Sequence, residues 1–139
     1  MILSQKCQYA LRAIYEITLR QADWPIKSAE IAEAQDIPPR FLENILAQLK
    51  QGGFVESKRG KEGGYMLPDP EKDTSVGEVI RFIQGPLAPV HCMIEGPPSC
   101  ELYGTCPFKP MWERALDAVA EVYENTTFRD LIRDHEAAG

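Results

Sequence analysis

The chain has 139 residues, 44% of them hydrophobic, which suits one compact domain with a real core. No apolar run approaches the roughly 18 residues of a membrane span, and the opening MILSQKCQYALRAIYEITLR lacks the apolar core and cleavage site of a secretory leader; a cytoplasmic protein with no membrane partner is expected. The net charge of −6 argues against nucleic acid only until it is divided: residues 1–65 carry 9 Lys/Arg against 8 Asp/Glu, residues 66–139 carry 6 against 13.

In chain order, residues 4–20 predict a helix. Cys7, Ala10, Leu11, Ile14 and Ile17 recur at helical spacing, and Ser4 suits its N-cap. ADWP (22–25) breaks it. SAEIAEAQ (28–35) predicts a short second helix with Ser28 as cap, and DIPP (36–39) a turn. RFLENILAQLKQ (40–51) predicts a third helix, with Phe41, Leu42, Ile45, Leu46 and Leu49 facing inward and Gly52–Gly53 ending it. FVESKRGKEGGYML (54–67) predicts a β-hairpin with a Gly/Lys/Arg tip. SVGEVIRFIQ (75–84) predicts another short helix, capped by Ser75. Residues 85–106, rich in Gly and Pro, are expected to lack regular structure. A long helix follows over 107–125, with Met111, Leu116, Val119 and Tyr123 on one face. TFRD (127–130) fits a capping box for a last helix to about 136. Trp24 and Trp112 are expected to pack, and His135 to lie at the surface.

The expected fold is mainly α with a small β-hairpin: a winged helix-turn-helix over 1–84, a cysteine-rich loop over 85–106, and a long dimerisation helix with a C-terminal helix over 107–139. In a helix-turn-helix the third helix enters the major groove and its early residues meet base edges. Here these are Arg40, Glu43 and Asn44, able to pair with guanine, cytosine and adenine respectively. Lys58, Arg59 and Lys61 at the hairpin tip suit phosphates or a minor groove. The same pattern also fits a small bundle with solvated charges.

Cys92, Cys100 and Cys106 share one loop, and Cys7 lies far away. Four cysteines in a reducing compartment point to metal or redox chemistry rather than structural disulfides. Three thiols cannot all pair with each other. Zinc sites mostly use closely spaced Cys pairs, whereas the gaps here are seven and five residues. Wide gaps on a pliable loop suit an iron–sulfur cluster; zinc and three unrelated thiols stay open.

LSQKCQYALRAI, IAEAQDIPPRFLENILAQLKQGGFVESKRGKEGGYML and VGEVI, with the three-cysteine loop before a long helix, resemble the IscR/NsrR group of bacterial repressors, the Rrf-two family, over about residues 1–135. The resemblance implies a homodimer whose long helices cross and whose winged helices read double-stranded operator half-sites roughly 34 Å apart. Glu43 matches the recognition-helix position that discriminates operators, and Arg59 the wing arginine that enters the minor groove. The three loop cysteines match the family's cluster ligands. Pro38 and Arg40 replace small hydroxyl residues, the gap between Cys92 and Cys100 is longer than usual, and Lys109 replaces a ligand histidine. The fourth ligand must then come from elsewhere, with Cys7, His91, Glu95 and Glu101 as candidates; Gln8 stands where the nitric-oxide branch places its own. A [2Fe–2S] cluster is preferred, with [4Fe–4S] as the alternative.

The function expected is a DNA-binding regulator, a repressor or dual regulator, sensing iron–sulfur status, iron or nitric oxide. The alternative is a cluster-free regulator answering to a protein partner, metabolite, zinc or thiol oxidation. An enzyme is not expected: only two His occur, and there is no Cys-x-x-Cys pair or Gly-rich nucleotide loop.

Overall fold

The structure, a computed structural model, describes residues 2–96 and 101–139. Helix α1 (Gln5–Leu19) begins where the Ser4 hydroxyl accepts from the backbone N–H of Cys7. Its inward face is Cys7, Ala10, Ala13, Ile14 and Ile17, all buried. Helix α2 (Ser28–Gln35) starts one residue earlier than a Ser28 cap would allow. Lys27 holds the N-cap position, its N–H bonded to the Glu30 carboxylate at 3.3 Å, so Ser28 is helical and its hydroxyl is free for another partner. Asp36 ends α2 in the left-handed region, φ 51°. Helix α3 (Pro39–Gln51) follows at once, with Pro39 in the first turn where a missing N–H costs nothing.

Leu42, Ile45, Leu46 and Leu49 of α3 are buried against α1 and α2. Each such fully buried side chain stabilises by about 1.5–3 kcal/mol before entropy is counted. Phe41 does not join them. The expectation of a five-residue inward stripe is corrected to four, because Phe41 is 58% exposed.

Strands β1 (Glu56–Lys58) and β2 (Gly64–Met66) form the wing, pairing antiparallel as Glu56↔Met66, Ser57↔Tyr65 and Lys58↔Gly64. Ile26 adds a further bridge to Tyr65 by two backbone hydrogen bonds of 2.7 and 2.8 Å, which ties the wing to the start of α2. This close approach is why Gly64 carries no side chain: a Cβ there would lie 2.5 Å from the Ile26 carbonyl oxygen.

Helix α4 (Val76–Ile83) has a full capping box between Ser75 and Glu78. The loop after it is not wholly irregular: Cys92–Glu95 make a single turn, α5, ended by Gly96 at φ 85°. Helix α6 (Lys109–Glu124) has no buried residue at all. Leu116 and Tyr123 line a cavity with Gly77 and Arg81 of α4, Val119 is half-covered beside Val122 and Tyr123, and Met111 is 53% exposed. Helix α7 (Phe128–Ala138) is capped by Thr127 and Asp130 and returns to α1, placing Phe128 in the main core. No helix among the described residues is long and apolar enough to cross a membrane.

Candidate nucleic-acid interface and cysteine loop

The inward turn of α3 sets the outward one. With Leu42, Ile45 and Leu46 buried, helical spacing turns Arg40, Glu43 and Asn44 to solvent, and all three are exposed. Glu43 is positioned by α2: its Oε1 accepts from the Ser28 hydroxyl at 2.7 Å. This is the role that the helical placement of Ser28 leaves open to it. Glu43 and Ser28 share an open groove with Lys58, Arg59 and Tyr65 of the wing, so the third helix and the hairpin form one surface. Burial, and secondarily the Glu43 carboxylate, push the Tyr65 phenol above its ordinary range.

Lys58, Arg59 and Lys61 are exposed around Gly60, whose φ of 105° makes the tight tip possible. The Gly63 N–H closes the tip on the Gly60 carbonyl at 3.0 Å. Lys50 leaves this cationic face, its Nζ donating to Ser57 at 2.7 Å. On the other flank of α3, the Phe41 ring meets Tyr9 of α1 edge-on, centroids 6.5 Å apart and planes at 63°. The Arg12 guanidinium sits 5.2 Å from the Tyr9 centroid. Sequence spacing gave no sign of this aromatic–cation group, since Phe41 fits the inward period equally well.

The loop from α4 to α6 is anchored at both ends. At its root, Gln84 accepts from the Ser4 N–H at 2.8 Å and donates to the Ile2 carbonyl at 3.1 Å, tying α4 to the N-terminal segment. At its far end, the Lys109 N–H donates to the Cys106 carbonyl at 3.4 Å, one turn ahead of α6. Arg81 of α4 pairs with Glu124 of α6. Cys92 opens α5, and both Cys92 and Cys106 are free, partly exposed thiols. Cys100 lies outside the described residues. His91, next to Cys92 in sequence, is exposed, and Glu95 and Glu101 are exposed as well.

Cys7 stands apart, 0% exposed within the core, where burial pushes its thiol above the ordinary range. Lys109 is committed elsewhere, its Nζ 4.2 Å from the Tyr103 ring centroid and 3.8 Å from the Glu113 carboxylate. Among the described residues no three potential ligands gather in one place. The donor chemistry of the described loop residues fits an iron–sulfur cluster: Cys92 and Cys106 are soft, unpaired, partly exposed thiols.

The family model described as Rrf2, iron-dependent transcriptional regulator, matches residues 3–134. An HTH-type transcriptional regulator of Mycobacterium tuberculosis is 34% identical over 137 residues, covering 94% of this chain and 81% of the relative. Among solved structures, IscR of T. potens superposes with a TM-score of 0.77 at 28% identity, covering 99% of this chain and 90% of its own. CymR, the global cysteine regulator of B. subtilis, gives 0.75 at 32% identity, covering 94% and 95%. Three helices, a wing, and a model match along nearly the whole length agree: the chain belongs to the Rrf2 family of transcriptional regulators and is not an enzyme.

Proposed function

We propose that the chain is a cytoplasmic, homodimeric repressor that reads double-stranded DNA with Arg40, Glu43, Asn44, Lys58, Arg59 and Lys61, and senses iron–sulfur status, iron or nitric oxide through Cys92, Cys100 and Cys106. The observation that carries it is the path of the cysteine loop. It leaves α4, whose end is tied to the N-terminal segment through Gln84, and it delivers the chain to α6. Whatever the thiols hold therefore biases α6 against the DNA-reading unit, and DNA affinity changes to the extent that the two arrangements differ in their contacts. A bound cluster would supply a centre sensitive to redox state and nitric oxide. We place His91 ahead of Cys7 as fourth ligand, because His91 is exposed and next to Cys92 in sequence whereas Cys7 is sealed in the core.

The dimer reading is supported by α6. Met111, Ala115, Ala118 and Val122 recur at i, i+4, i+7 and i+11 and are all exposed, Val122 by 60%. Such an uncovered apolar stripe suits a second copy of the same helix. A second reading has its own support in the likeness to a cysteine regulator. It keeps the DNA-reading unit and gives the thiols a cluster-free role.

Anaerobic purification, with a visible spectrum and iron and sulfide analysis on one sample, separates the two. Iron and sulfide in matching amounts, two per chain for the preferred [2Fe–2S] and four for [4Fe–4S], support the cluster reading. A colourless, iron-free protein that still binds a defined duplex supports the cluster-free one. Failure to bind any duplex above the non-specific level sinks both.

A further inference from the structure

Phe41 is a large apolar side chain in the first turns of α3, and it is 58% exposed. Along α3 it is bordered by Arg40 and Asn44, both polar and exposed, so it does not continue into an apolar stripe along that helix. It is also held in place. The edge-on contact with Tyr9 fixes the ring on the flank toward α1, opposite the flank where Glu43 meets Ser28. Arg12, half-exposed and seated near the Tyr9 ring, puts a cation on that same flank. The flanks of a helix in a major groove run beside the phosphate backbones, and the apolar group on the base edges of the groove floor is the C5-methyl of thymine.

Building on the DNA-reading function proposed above, we propose that Phe41 recognises a thymine methyl group in each operator half-site, with Arg12 holding an adjacent phosphate. Glu43 and Phe41 then read opposite flanks of one recognition helix, the first through a hydrogen bond and the second through apolar contact. Arg12 positions the helix without adding sequence information.

The test begins with duplexes selected from a randomised pool by the wild-type protein. Each thymine of the selected duplex is then replaced singly by deoxyuridine, which lacks only the methyl group, and affinity is followed by fluorescence anisotropy. Wild type is expected to lose about fourfold at one thymine per half-site, the worth of one buried methyl. Phe41→Ala, which removes the contact from both half-sites at once, is expected to bind the thymine duplex about sixteenfold more weakly and to make no distinction between thymine and deoxyuridine there. Phe41→Leu, which keeps apolar bulk, should retain part of the distinction. Arg12→Ala should weaken all duplexes alike and reduce the salt slope by about two, one for each subunit. Deoxyuridine discrimination that persists undiminished in Phe41→Ala, or is absent from wild type, overturns the assignment while leaving DNA reading intact. A pool from which no duplex can be selected overturns DNA reading and this assignment together.

Discussion

Arg59 stands exposed at the wing tip between Lys58 and Gly60, with Glu43 and Ser28 across the groove. A guanidinium in that position is free to enter a minor groove, where potential is most negative. Arg59→Ala should cost about 1–3 kcal/mol of operator affinity and flatten the salt dependence; an unchanged binding isotherm and salt slope would remove the wing from the interface. Asp130 serves stability instead. The Thr127 backbone N–H, then the Thr127 hydroxyl and the Arg133 guanidinium, hold its carboxyl below the ordinary range. A depressed carboxylate stabilises the fold above its unfolded value and loses that effect as pH falls through its folded value. Melting temperatures of wild type and Asp130→Asn should therefore differ most above about pH 4 and converge in stronger acid. A gap that is constant from neutral pH into strong acid would contradict the cap's charge dependence.

At the scale of elements, helix starts and stops were readable because caps are local chemistry. Ser4, Ser75, Thr127 and Pro39 each sit where a first turn needs an acceptor or tolerates a missing N–H. Ser28 shows the limit: its type suits a cap, but a glutamate fifteen residues later takes its hydroxyl. Periodicity has the same limit. Phe41 satisfies the inward spacing of α3, yet Tyr9 on α1 catches its ring at the surface. The single turn at Cys92–Glu95 is too short to leave a periodic trace. Helix α7 is anchored by Phe128, 2% exposed in the core shared with α1 and α4. Phe128→Ala should destabilise by about 3–5 kcal/mol, read as a shifted denaturant midpoint. A loss below 1 kcal/mol would mean that α7 is only loosely docked.

For the whole molecule, α6 is the element without a core. Its Met111, Ala115, Ala118 and Val122 stripe is apolar but uncovered within one chain. Val122→Asp should convert a dimer to a monomer by light scattering while leaving helix content unchanged, since Val122 supports no fold within its own chain. A wild-type protein that is already monomeric would end that reading. Helices α1 to α4, the hairpin with its basic tip, the outward Arg40, Glu43 and Asn44, and three thiols within one loop are legible from residue order alone. These follow from capping, turn and period rules that act over a few residues. Long-range packing settles what remains: Phe41 faces out, Glu43 is held by Ser28 beside the wing, Cys7 is fully buried while Cys92 and Cys106 are partly exposed, and Phe128 brings the C-terminal helix back into the N-terminal core. Those outcomes depend on which partner a side chain finds far along the chain, and spacing within one helix carries no information about that partner.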